Sequence, residues 1–79
     1  MFEARVVLEN GCSMRIVFLH VERYSLSCHG PKNLLVEYKG EGKKHIKTLR
    51  GRASAYEFRS VEKLRYDFER DAEDALRQG

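Results

Sequence analysis

Apolar residues recur at every second position from Phe2 to Arg59 and at every third or fourth position from Val61 to Leu76. That one change of period decides the class of fold, because period two is the signature of a half-buried strand and period 3.6 of an amphipathic helix. Phe2, Ala4, Val6 and Leu8 alternate with Glu3, Arg5 and Glu9, leaving Val7 as the exception. Asn10-Gly11 tolerates positive φ and predicts a hairpin, so that a second strand returns antiparallel from about Ser13. In that strand Met14, Ile16 and Phe18 share one face and Val17, Leu19 and Val21 the other, which predicts a strand apolar on both sides and central in the sheet.

Tyr24, Leu26 and Cys28 alternate with Ser25, Ser27 and His29, the pattern of either a further short strand or a bulged continuation of the second. Gly30-Pro31 with Asn33 breaks the chain before a strand over Leu34–Lys39, with Leu34, Val36 and Tyr38 on one face. Gly40-Glu41-Gly42 turns it back into Lys43–Leu49, where Lys44, Ile46 and Thr48 share one face and Lys43, His45 and Lys47 the other. Tyr56 and Phe58, alternating with Glu57 and Arg59, predict a last short strand leading into the helix.

Ser60 is suited to cap that helix, its hydroxyl accepting from an N–H of the first turn, with Glu62 favourable at the positive end. On a helical wheel Val61, Leu64, Phe68, Ala72, Ala75 and Leu76 fall within roughly 120°, and Tyr66 lies roughly 150° from that wedge. The stripe must be buried, and the apolar face of the preceding sheet is the available surface. The expected fold is therefore α+β: an antiparallel sheet of about four or five strands, a meander of hairpins, packed on one C-terminal helix. With 79 residues the chain forms a single domain over 1–79, strands about 2–59 and helix about 61–77.

The longest unbroken apolar run, Ile16–Leu19, is far shorter than the roughly 20 residues that span a bilayer. Glu3, Arg5 and Glu9 interrupt the N-terminal stretch where a secretory signal needs a clean apolar segment. A cytoplasmic location is the expectation, and with it reduced thiols at Cys12 and Cys28 in place of a bridge.

Charge is distributed unevenly within a net +3. Between Pro31 and Arg52 stand Lys32, Lys39, Lys43, Lys44, Lys47, Arg50 and Arg52 against Glu37 and Glu41 alone. After Arg52 the balance turns acidic. A concentrated basic segment attracts polyanions.

Cys12, His20, Cys28, His29 and His45 are of ligand type, but no two stand two to four residues apart as structural zinc sites require, and adjacent Cys28 and His29 point to opposite faces of an extended segment. The same opposition prevents a Cys28–His29 nucleophile and base pair. Asp67, Asp71 and Asp74 read as a solvated, ion-paired helix surface with Arg70, and Glu73 and Arg77 as an i, i+4 pair. Gly40–Lys44 lacks the spacing of a phosphate-binding loop. No catalytic residue, metal or cofactor is expected. The predicted function is a non-enzymatic module that engages nucleic acid or a nucleoprotein complex through Lys39, Lys43, Lys44, His45, Lys47, Arg50 and Arg52. Tyr38 and Tyr56 are candidate base platforms whose alternation assigns their rings to the core.

The layout is also loosely similar to small accessory and inhibitor proteins that phages encode. That resemblance implies an alternative: a protein that occludes a host protein, as anti-defence proteins do, or an adaptor for an acidic protein surface. Its interface would be Tyr66, Arg70 and Arg77, since Tyr and Arg anchor protein contacts. The sequence leaves monomer and homodimer open.

Overall fold

A computed structural model describes residues 2–8 and 11–78. Six strands, β1 (Phe2–Val7), β2 (Ser13–His20), β3 (Arg23–His29), β4 (Leu34–Glu41), β5 (Lys44–Leu49) and β6 (Arg52–Ala55), form one antiparallel sheet in the order of the chain, and α1 (Val61–Gln78) follows. The α+β meander is as expected, with six strands where four or five were anticipated. One additional strand comes from residues 23–29, which pair with both neighbours along their length and so are a strand in their own right. The other correction concerns the last strand. It lies at Arg52–Ala55, and Tyr56–Arg59 are irregular. Arg50 and Gly51 both have positive φ, 49° and 86°, so they form the two-residue turn whose twist suits a hairpin, and the partner strand starts immediately after them. Arg52–Ala55 has no apolar alternation to betray it; Tyr56 and Phe58 instead turn inward as the chain climbs to the helix. Asn10 of the expected first turn lies outside the described residues, while Gly11 takes the positive φ (77°) anticipated for the dipeptide.

The register sets three rows beneath the helix: Phe18, Tyr24, Gly40 and His45; Ile16, Leu26, Tyr38 and Lys47; Met14, Cys28, Val36 and Leu49. Against the middle of this face the helix buries Leu64, Phe68, Ala72 and Ala75. Ser60 caps it as expected, its Oγ accepting from the Lys63 N–H at 3.1 Å. Phe68 meets Tyr38 edge-on, ring centroids 5.9 Å apart, and Tyr38 in turn meets Tyr56 edge-on at 4.9 Å. One 18-residue helix covers only part of a six-stranded sheet, and the completely buried positions sit on β3 and β4. Two expectations are corrected for that reason. β2 is second from an edge and its apolar residues are half-buried, with Leu19 38% exposed; Val61, placed in the buried wedge, is 43% exposed.

Gly40 has no side chain because Tyr24, directly across from it on β3, lays its ring over the backbone there. A Cβ at residue 40 would lie inside that ring. The ring is wedged between Phe18 at 5.8 Å and His45 at 5.6 Å, with Phe58 at 5.9 Å, so it has nowhere to retreat. Two substitutions test this core by urea unfolding. Phe68→Ala should cost about 3 to 5 kcal/mol by leaving a cavity. Gly40→Ala should cost about 1 to 3 kcal/mol by overpacking, although alanine is otherwise the milder residue in an extended strand. A neutral Gly40→Ala would show that Tyr24 does not lie over this position.

Candidate nucleic-acid interface

The structure divides the expected basic residues over both sides of the β4–β5–β6 end of the sheet. Lys39 and Lys44 stand on the face away from the helix, on adjacent strands and one diagonal step apart, since Lys39 is opposite Ile46. Lys43 is exposed in the turn between β4 and β5. Lys47 and Arg52 are on the helix side of β5 and β6, again one diagonal step apart because Lys47 is opposite Ser54. These five form a rim that wraps around the end of the β4–β5 hairpin and along its β6 side.

Arg50 and His45 are drawn elsewhere. Arg50 donates from Nη2 to the Ala75 carbonyl at 3.2 Å, binding one of the helix's last-turn carbonyls, and its own N–H donates to the Leu35 carbonyl at 2.9 Å. It ties the β5–β6 turn to the negative end of the helix. His45 is stacked on Tyr24 and on Phe58, at 5.6 and 5.3 Å, and its Nδ1 is hydrogen-bonded to the Tyr24 hydroxyl at 2.8 Å. Tyr38 is wholly buried, so it is no platform for a base.

The charged residues of the helix are balanced locally. Lys63 reaches Asp67 at 3.0 Å, Arg65 reaches Glu69 at 2.8 Å, Arg77 reaches Glu73 at 2.5 Å, and Arg70 lies 3.6 Å from Asp71 and 3.9 Å from Asp67. Among the described residues, no carboxylate lies within ion-pair distance of Lys39, Lys43, Lys44, Lys47 or Arg52. Glu41 stands directly opposite Lys44, and Glu37 and Glu41 flank Lys39 along β4 on the same face, but neither is close enough for an ion pair, so the cations of the β4–β6 rim are unpaired beside a helix whose cations are each paired. Of the residues read as a protein interface, Tyr66 is 56% exposed and flanked by Lys63 and Arg70, 5.4 and 6.0 Å from its ring centroid, while Arg70 and Arg77 are held in the ion pairs just given.

Two of the three helix aspartates are not solvated, contrary to the reading from spacing. Asp67 is buried and accepts hydrogen bonds from the Tyr56 hydroxyl at 2.7 Å and Lys63 Nζ at 3.0 Å; Asp71 accepts one from the Tyr38 hydroxyl. A signal was present on the wheel, where Asp71 lies only about 20° from Leu64 and hence inside the apolar wedge. Burial alone would raise the Asp67 carboxyl, but the bonds from Tyr56 and Lys63, with the charges of Lys63 and Arg70, hold it below its ordinary value. Burial pushes the tyrosines the other way. Tyr24 is raised to about 12, and Tyr38 and Tyr56 are raised further by burial and by their bonds to Asp71 and Asp67.

No family model, curated relative or solved structure matches the chain. Among the described residues no group of three His, Cys, Asp or Glu side chains is placed to hold a metal ion, and no helix is long and apolar enough to cross a membrane.

These shifts fix a pH dependence. A tyrosine raised in the fold keeps its proton there after the unfolded chain has begun to lose it near 10, so the associated stability is intact below 10 and is lost as pH climbs toward 12. Asp67, lowered in the fold, contributes stability above the ordinary carboxylate range that is lost as pH falls through and below it. Urea midpoints followed by circular dichroism should fall on the alkaline side between pH 10 and about 12, less steeply in Tyr24→Phe. An equally steep alkaline fall in Tyr24→Phe would remove Tyr24 from the account.

Proposed function

We propose that the protein is a non-enzymatic module, acting in the cytoplasm, that binds the phosphate backbone of nucleic acid through the rim of Lys39, Lys43, Lys44, Lys47 and Arg52. The observation that carries this reading is the contrast in charge pairing: the helix cations are matched to carboxylates, while the rim cations are matched to none among the described residues. Backbone binding needs that arrangement, because each phosphate neutralised by Lys or Arg releases condensed counterions. Recognition of bases by stacking is not part of the proposal, since Tyr38, Tyr56 and His45 are committed to the packing between sheet and helix. His45 and Arg50 therefore support the rim structurally.

Replacing Lys39, Lys43 and Lys44 together by Gln should leave the unfolding free energy measured in urea within about 0.5 kcal/mol of the original, since exposed charges add little to stability. Affinity should fall uniformly across sequences, and the slope of log K against log salt should lose about 0.9 per duplex phosphate contact removed. Arg65→Gln, on the paired helix, should leave both quantities unchanged. Absence of salt-dependent binding by the unmodified protein at low ionic strength would overturn the proposal.

A second reading, capture of a partner protein by the exposed face of α1, is supported by Tyr66, a large side chain exposed between Lys63 and Arg70. Under that reading Tyr66→Ala lowers partner affinity by more than about 1 kcal/mol with the fold unaffected.

A further inference from the structure

The first strand is an open edge of the sheet whose only charges, Glu3 and Arg5, are of opposite sign, and no proline or bulge blocks pairing there. β1 contains neither proline nor lysine, and its register with β2 runs unbroken from Phe2 opposite Phe18 to Val7 opposite Ser13, so no bulge twists it away. Its side chains are largely exposed, Phe2 at 55% and Val6 at 42% on the helix-side face. The opposite edge, β6, is by contrast four residues long, begins at Arg52 and carries no large apolar residue.

The order of residues in β1 is self-complementary. Reversing Phe2-Glu3-Ala4-Arg5-Val6 about Ala4 places Glu3 opposite Arg5, Arg5 opposite Glu3, and Phe2 and Val6 opposite one another. In an antiparallel pair, directly opposed side chains have Cβ atoms roughly 4.5 to 5.5 Å apart, close enough for ion pairs on one face and apolar contact on the other. Within one chain Arg5 faces Arg15 on β2, a like-charged cross-strand pair, while Glu3 lies 3.6 Å from Arg15. A carboxylate arriving from outside the edge would relieve that mismatch. We infer that β1 pairs with β1 of a second copy about a two-fold axis through Ala4, joining the sheets into one of twelve strands, with Glu3 of each copy against Arg5 of the other and Phe2 of each against Val6 of the other.

The interface is isologous, each contact occurring twice. On the helix side, Phe2, Ala4 and Val6 lie beside Ile16, Phe18 and Met14 of β2, which α1 leaves half-buried, so pairing joins two apolar ledges. On the outer side the two Glu3–Arg5 pairs fix the register: a shift of one residue would turn the apolar stripe of one copy toward the charged face of the other. The inference stands apart from the nucleic-acid reading, because β1 and the basic rim occupy opposite sides of the sheet.

Sedimentation equilibrium over a wide dilution series tests it with four samples. The unmodified chain of 9.2 kDa should approach twice that mass as concentration rises. Glu3→Arg alone sets Arg against Arg across the axis, and Arg5→Glu alone sets Glu against Glu, so each should raise the dimer dissociation constant at least about tenfold. Mixed in equal amounts, the two variants carry opposite charges at every cross-axis pair, and dimerisation should return as a heterodimer. A monomer at every concentration would overturn the inference, as would dimers unaffected by either single reversal, or single variants that stay monomeric when mixed. Restoration on mixing also excludes misfolding as the cause of the single-variant losses.

Discussion

Tyr38 joins the sheet to the helix, and the remaining structure is arranged around it. Its ring is wholly buried in the middle row of the sheet, edge-on to both Phe68 of the helix and Tyr56 of the segment leading into it, and its hydroxyl donates to Asp71. A small domain has little apolar area to spend, so one residue that fills the centre and also satisfies a half-buried carboxylate contributes packing and orientation together. Tyr56 repeats the device on Asp67. Between them the two phenols set which flank of α1 faces β5 and β6, while Arg50, bonded to the Ala75 carbonyl, holds the far end of the helix.

That orientation has an electrostatic consequence. The helix uses its carboxylates internally, Asp67 on Tyr56 and Lys63, Asp71 on Tyr38 and Arg70, Glu69 on Arg65 and Glu73 on Arg77. Lys39 and Lys44 share their face with Glu37 and Glu41 but form no ion pair with either, so the basic rim persists beside the paired charges of the helix. If two copies join at β1, the rims stand at the outer ends of a common sheet. The two β5 strands would be nine strand spacings apart, roughly 43 Å along an untwisted sheet.

The period change made the architecture legible: the alternation of the first five strands, the Ser60 cap and the Leu64–Phe68–Ala72–Ala75 stripe appear where the spacing puts them, while the alternation of Tyr56–Arg59 does not form a strand. β6 was hidden because Arg-Ala-Ser-Ala carries no apolar alternation; its position is set by the Arg50-Gly51 turn. The candidate site was legible as a run of cations but not as a surface. Spacing along a strand assigns faces and cannot say that the Tyr24 ring will cover Gly40 and hydrogen-bond His45, or that Arg50 will turn toward a helix carbonyl. Both outcomes depend on what lies across the register. Asp67 and Asp71 were read as solvated for the same reason, their phenolic partners being supplied by elements remote in sequence.

The most direct test of a phosphate-binding rim is an NMR titration of the isotope-labelled protein with a short duplex of arbitrary sequence, resolved by residue. The account predicts that amide shifts gather on Lys39, Lys43, Lys44, Lys47 and Arg52 and their strand neighbours, vanish at high salt, and repeat with a second unrelated duplex. Shifts confined to α1 around Tyr66, or no shifts at low salt, would contradict it.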